Sequence, residues 1–165
     1  MDHLEIERKY LIRMPQAALL NALPRSLIEQ VYILSPEGGR ERIRRRDYGD
    51  KTVFTHTAKK RVSDITRVEL EREIGEEEFK ALLRKADPER RVIRKTRYLY
   101  EFRRQCFEID VFPFWEDRAL MELELEREEQ EILLPDGIEI IREVTAEKRY
   151  TKSALAREIP FETLP

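Results

Sequence analysis

In the stretch His3-Leu4-Glu5-Ile6-Glu7-Arg8-Lys9-Tyr10-Leu11-Ile12, apolar and charged residues take turns. Leu4, Ile6, Tyr10 and Ile12 fall in one phase and Glu5, Glu7 and Lys9 in the other. That is the period of a β-strand with one apolar face. Neighbours on one face of a strand stand about 7 Å apart. Two carboxylates at that spacing repel each other unless a cation bridges them or one keeps its proton. A solvated strand face is the plain alternative. What weighs against it is recurrence, because four later strands carry the same kind of face.

Gln30-Val31-Tyr32-Ile33-Leu34 reads as the second strand, ended by the turn residues Ser35 to Gly39. Arg40 to Arg46 comes next with Arg42, Arg44 and Arg46 in phase, and Asp47-Tyr48-Gly49-Asp50 is a hairpin turn. The β-branched run Thr52 to Lys59 puts Thr55, Thr57 and Lys59 on one face. Beyond a loop near Val62 to Asp64, Thr66 to Ile74 sets Arg67, Glu69, Glu71 and Glu73 against Val68, Leu70 and Ile74. Val92 to Arg103 is a long strand with Lys95 and Arg97 in phase, and Gln105 to Phe112 is its hairpin partner, carrying Glu108 and Asp110. Pro113 to Asp117 is a loop, after which Leu120 to Glu126 repeats the opening alternation with Glu122 and Glu124. Pro135-Asp136-Gly137 is a turn, and Glu143-Val144-Thr145 is short and extended.

Helical periodicity is confined to three places. Pro15 opens a short helix through Asn21 whose Ala18, Leu19, Ala22 and Leu23 would pack on the sheet. Glu76 to Lys85 is amphipathic, with acidic residues in its first turn and Phe79, Leu82 and Leu83 turned inward. Arg149 to Arg157 suits a terminal helix closed by Pro160. Roughly eight hairpin-linked strands and two or three helices make an α+β fold on antiparallel sheet, and the 165 residues suit a single domain. If the helices cover the apolar faces from outside and the sheet closes into a barrel, the interior must be lined by charge.

Composition narrows the class. Charged residues are 40% of the chain, yet the net charge is only −2, which argues against nucleic-acid binding through a basic excess. Cys106 is the only cysteine, so an intrachain disulfide and a thiolate metal site are excluded. It reads as a buried small apolar residue. No run is apolar enough to span a membrane and the opening residues lack a signal-peptide layout, so a cytoplasmic protein is expected. Neither His3 nor His56 belongs to a Ser-His-Asp set, and His56 is out of phase with Lys59, which suits a structural or surface role.

Glu5-Ile6-Glu7-Arg8-Lys9 resembles the ExExK signature of the CYTH superfamily, the triphosphate tunnel metalloenzymes. The five residues gain specificity from their order with Arg42-Ile43-Arg44, Thr57-Ala58-Lys59, Arg67 to Glu71, Lys95-Thr96-Arg97, Phe107 to Phe112, Met121 to Leu125 and Glu143-Val144-Thr145. The match runs from about Leu4 to Tyr150. The resemblance implies an eight-stranded antiparallel β-barrel forming a tunnel, and hydrolysis or cyclisation of a triphosphate with Mg²⁺ or Mn²⁺. By motif, Glu5, Glu7, Glu122 and Glu124 would hold metal with Asp110 close by. Lys9, Arg42, Arg44, Lys59, Lys95 and Arg97 would grip phosphate, joined by Arg67 and, more weakly, Lys148. Glu69 or Glu71 would bind a second metal or orient water.

Physical chemistry is consistent with those implied roles. Carboxylates suit Mg²⁺, guanidinium forks match phosphate oxygens, and in-line phosphoryl transfer needs positioning and charge stabilisation more than a nucleophilic side chain. The favoured substrate is inorganic tripolyphosphate. Alternatives are a nucleotide or thiamine triphosphatase, an adenylyl cyclase, and a non-catalytic polyphosphate-binding module. The resemblance allows a homodimer, for which no stripe of residues gives an interface. Where bacterial relatives carry Gly-Asp and then Asn, this chain has Ala146-Glu147 and Thr151-Lys152. Tyr32 either approaches Lys95, as its counterpart does in relatives, or simply packs; Trp115 and the Phe112 to Phe114 segment suit a tunnel rim.

Overall fold

The structure is a computed structural model that describes residues 2–35 and 40–165. Among the described residues, nine strands form one antiparallel sheet: β1 (Asp2–Arg13), β2 (Arg25–Ile33), β3 (Arg40–Asp47), β4 (Thr52–Arg61), β5 (Thr66–Ile74), β6 (Ile93–Phe102), β7 (Gln105–Val111), β8 (Arg118–Leu125) and β9 (Ile140–Glu143). Their order is β5-β4-β3-β2-β6-β7-β8-β1-β9, and β5 also pairs with β1, which closes the first eight strands into a barrel. The turn expected at Ser35 to Gly39 falls on residues 36–39, outside the described residues.

Closure depends on β1 serving two partners along one edge. Asp2 to Ile6 pair with Leu70 to Thr66 of β5, and Tyr10 to Ile12 pair with Glu143 to Ile140 of β9. Between them, Glu7 N donates to Ile65 O and Lys9 O accepts from Val144 N, so the edge has no gap. The other edge pairs Ile6 to Arg13 with β8. A shared edge gives the twelve-residue strand pairing partners on both sides over most of its length.

Hairpins hold the register. The β3–β4 turn has Gly49 at φ +94° and its N–H donates to Asp47 Oδ1 at 2.8 Å, as the sequence predicts. At the β6–β7 turn, Arg103 and Arg104 both have positive φ, 49° and 64°. That is a two-residue hairpin geometry usually filled by Asn-Gly, so no turn signal marked it.

Apolar residues lie on three sides. Ile6, Tyr10, Ile12, Phe107, Ile109 and Met121 form an outer core with Leu20, and Ile132 and Ile138 of the long β8–β9 connection pack on it with Ile140 of β9. Val31, Ile33, Ile43 and Ile74 form another under Phe79 of the helix α2 (Glu76–Leu83). The third cluster is inside the barrel: Leu11, Tyr32, Ile93, Phe112 and Leu120 share a strand phase with the charged residues. Trp115, Tyr150 and Leu155 complete this plug. Trp115 and Phe112 are therefore buried in a stopper, not set at a rim, and Trp115 Nε1 donates to Pro160 O at 2.9 Å. Tyr32 packs there too, with the Arg90 guanidinium 5.4 Å from its ring centre.

Other expectations change. The first helix, α1 (Ala17–Asn21), buries Leu20, while Ala18 and Ala22 are exposed. A helix of five residues has too little face to follow the longer period. Leu83 is exposed because α2 ends there. The terminal helix is a 3-10 turn, Lys148–Tyr150, and then a single turn, α3 (Lys152–Leu155), capped by Thr151. Cys106 is exposed, because it sits beside the β6–β7 turn beyond the covered barrel wall.

Candidate functional site

The lumen is a cavity of about 270 Å³ at the charged level of the barrel. Arg42, Arg44 and Arg46 of β3 and Arg97 of β6 form one wall; Glu5 and Glu7 of β1, Glu69 and Glu71 of β5 and Glu124 of β8 form the other. Alternation within each strand turns these side chains inward, and pairing places them by register: Glu7 faces Glu124 and Lys9 faces Glu122 across β1–β8. Arg97 faces Asp110 across β6–β7.

The basic wall is anchored by its own carboxylates. Arg97 donates to Asp110 through Nε at 2.8 Å and Nη2 at 2.9 Å, and its Nη1 lies 2.8 Å from Glu108. Lys95 Nζ donates to the same Asp110 at 2.6 Å. Burial disfavours the Asp110 carboxylate, but Arg97 and Lys95 outweigh it and hold the pKa well below the usual carboxylate range. The Arg97 fork already neutralises Asp110, so Lys95 is the surplus charge, and burial pushes its pKa down to about 7. Asp110, expected near metal, is thus committed to the two cations. Burial with Arg42 and Arg97 lowers Arg44 to about 10, and its nearest carboxylate, Glu71, is 3.8 Å away.

On the acidic side Glu5, Glu69 and Glu122 meet lysines, whereas Glu71 accepts from Thr57 Oγ1 at 3.0 Å. Lys59 Nζ lies 2.8 Å from Glu5 and 3.7 Å from Glu69, and burial with Arg42 brings it down to about 8. Burial opposes ionisation of Glu5, yet Lys152 and Lys59 hold it at about 2. Burial and the neighbouring Glu122 raise the pKa of Glu7. Glu122 is 2% exposed, with Lys9 Nζ at 3.7 Å and Lys152 Nζ at 3.4 Å. Its Oε2 has no hydrogen bond.

These observations bear on a hard divalent cation. No three His, Cys, Asp or Glu side chains are clustered tightly enough for a metal among the described residues. Yet the donors are carboxylate oxygens, Glu122 Oε2 has no hydrogen bond and only an ion pair with Lys152 Nζ at 3.4 Å, and burial with the neighbouring Glu122 raises Glu7. A cation would relieve both, so the donor set fits Mg²⁺ or Mn²⁺.

Sequence periodicity does not reveal Lys152. Its position on α3 follows no strand alternation, and only folding of the C-terminal segment brings Nζ into the lumen. Burial works against its charge, but Glu122, Glu7 and Glu5 raise its pKa. Gln30 escapes notice as well: 1% exposed, with neither amide atom bonded, it shares the inner phase of β2 with Tyr32. Conversely, Arg67 and Lys148 do not line the main lumen; both line a second cavity on the far side of α3. His56 bonds Glu41 outside the barrel at 2.9 Å.

No protein-family model matches the chain, and no curated protein does. Among solved structures it is similar to the inorganic triphosphatase NE1496, at 30% identity over 95% of this chain and 100% of that one, with a TM-score of 0.60. Another structure of NE1496, described as a hypothetical protein, matches at 30% identity over 94% and 99%, with a TM-score of 0.61. The PH1819 protein from Pyrococcus horikoshii OT3 shares the fold at 20% identity over 74% and 79%, with a TM-score of 0.56.

Proposed function

Because the chain belongs to the CYTH superfamily, we propose that it is a metal-dependent triphosphatase acting on inorganic tripolyphosphate. The observation that carries this reading is the division of the barrel lumen into an arginine side, with Glu108 beside Arg97, and a carboxylate side, which Lys152 joins. A linear triphosphate brings several negative charges, and Arg42, Arg44, Arg46 and Arg97 offer forked donors that match its oxygens. Among the described residues lining the lumen there is no aromatic ring. The phosphates are then the part of a ligand that finds partners, which favours an inorganic chain over a nucleotide or thiamine ester.

Glu7 and Glu122, with Glu5 and Glu124 beside them, would hold Mg²⁺ or Mn²⁺. The ion supplies charge neutralisation on the phosphoryl oxygens and a more acidic water. Arg44 and Arg97 orient the phosphate chain, Lys59 Nζ and Lys95 Nζ take up protons as it arrives, and Glu69, its pKa raised by burial, is placed to accept one from water. Positioning and electrostatics then account for catalysis without a nucleophilic side chain.

The test is phosphate release from tripolyphosphate, ATP and thiamine triphosphate, with EDTA or with added Mg²⁺ or Mn²⁺. Tripolyphosphate should turn over at least tenfold faster than either ester, and EDTA should abolish it. Cyclic AMP formed from ATP would replace this reading with a cyclase. Tight binding of tripolyphosphate without turnover would replace it with a binding module.

A further inference from the structure

Beyond α3 lies a cavity of about 330 Å³ whose lining, among the described residues, carries Arg67, Arg90, Lys148 and Arg157 and no carboxylate. Four separate segments bring these cations together: β5, the loop before β6, the 3-10 turn and the residues after α3. Two of them are engaged. Arg90 lies 3.3 Å from Asp87 and donates to Ser153 O at 3.1 Å, and Arg157 lies 3.6 Å from Glu89. The side chains of Arg67 and Lys148 have neither hydrogen bond nor ion pair among the described residues.

The single turn of α3 divides this cavity from the lumen. Lys152 lines the lumen, whereas its neighbours Thr151, Ser153 and Ala154 line the second cavity. The two are not sealed from each other: Arg67, Thr145 and Thr151 also border a narrow space reaching Glu7 and Lys9. Arg67 and Lys148 add like charge that no ion pair offsets among the described residues, and an anion in the cavity lowers the cost of that repulsion. Guanidinium and ammonium groups together select a phosphate-type oxyanion, through forked and point-charge contacts.

We propose that this cavity is a second phosphate-oxyanion site, separate from the triphosphate lumen. Two sources share the chemistry: orthophosphate left by hydrolysis, or the far end of a linear polyphosphate longer than three units. The inference rests on the triphosphatase reading only for those sources, because binding itself needs no turnover.

Orthophosphate titration by calorimetry tests it on wild type, on Arg44→Ala, and on the double variant Lys148→Ala/Arg157→Ala. Both residues of the double variant are exposed, so its fold should hold, and a melting scan checks this. A saturable orthophosphate site should survive in Arg44→Ala and weaken at least tenfold in the double variant. If a chain end is the natural occupant, the double variant also binds longer polyphosphate about tenfold more weakly while tripolyphosphate is unaffected. If product is the occupant, inhibition by orthophosphate changes from mixed to competitive in that variant. Orthophosphate binding that is unchanged in the double variant, or lost in Arg44→Ala alone, overturns the proposal. Failure of the triphosphatase reading would show instead as absent turnover, with these titrations unaltered.

Discussion

On the outer side of β7, Phe107 and Ile109 are fully buried against Met121 and Leu123. On the inner side of the same strand, Glu108 and Asp110 face Arg97. The outer face is a conventional core, where burying a side chain the size of Phe contributes about 1.5–3 kcal/mol. The inner face is as dry in places but made of ion pairs, whose desolvation roughly cancels their attraction. The comparison teaches that stability and site chemistry are assigned to opposite faces of the same strands. A barrel can hold Lys95, Arg97, Asp110 and Glu122 nearly out of water because the apolar layer outside stabilises the fold.

The largest test of that division is Phe107→Ala. It should cost about 3–5 kcal/mol, seen as a melting point lower by roughly 6–20 °C for a chain of this size. A loss under about 1 kcal/mol would mean that the outer core is not the main support. Arg44→Ala is the matched change inside. Arg44 is a disfavoured cation in a hollow space, so its removal should leave melting unchanged or slightly higher. Turnover of tripolyphosphate should fall about a hundredfold, near 2.7 kcal/mol of transition-state stabilisation. A destabilised Arg44→Ala would place that side chain among the supports.

Filling the lumen should stabilise by a similar amount. Tripolyphosphate at about a hundred times its dissociation constant adds about 2.7 kcal/mol, a rise of roughly 5–10 °C. At matched ionic strength, pyrophosphate and sulfate should do less, since they reach fewer of the arginines. Equal shifts for all three would mean screening and not a single site. A smaller effect belongs to Lys152, whose charge is held by Glu122, Glu7 and Glu5, the carboxylates proposed to hold metal. Lys152→Ala should tighten Mn²⁺ binding roughly tenfold by removing a like charge, as read by calorimetry; weaker binding would show that this lysine organises the carboxylates.

The smallest effect is a proton count. Burial holds Lys95 at about 7 and Lys59 at about 8. Both lie below their unfolded values, so folding gains stability as pH rises from about 7 towards the ordinary lysine range, where the unfolded chain binds the extra protons. A bound polyanion raises both pKa values. Binding at pH 8 should therefore take up about one proton, and the uptake should fade by pH 6, where both groups are already charged. Calorimetry in buffers of different ionisation enthalpy measures it. Proton release at pH 8 would contradict the assignment of these lysines.

Much of this was determined by the sequence alone. Period-two alternation marked the phases of β1, β3, β5 and β8, and with them Glu5, Glu7, Arg42, Arg44, Glu69, Glu71, Glu122 and Glu124 as one inner face. Gly49 and Gly137 marked two turns through their positive φ. Alternation, however, gives a residue's face and not its height along the barrel. Leu11, Ile93, Phe112 and Leu120 share the phase of the charges, yet form the plug. Arg67 shares the phase of Glu69, yet lines the second cavity. The β3–β4 and β6–β7 hairpins were legible, but how β1 divides one edge between β5 and β9 was undecided. Lys152 lay beyond any strand pattern, because a single helical turn has no period to read. Its place beside Glu122 is set by long-range packing of Tyr150 and Leu155 into the barrel, and contacts of that range are fixed only when the whole chain folds.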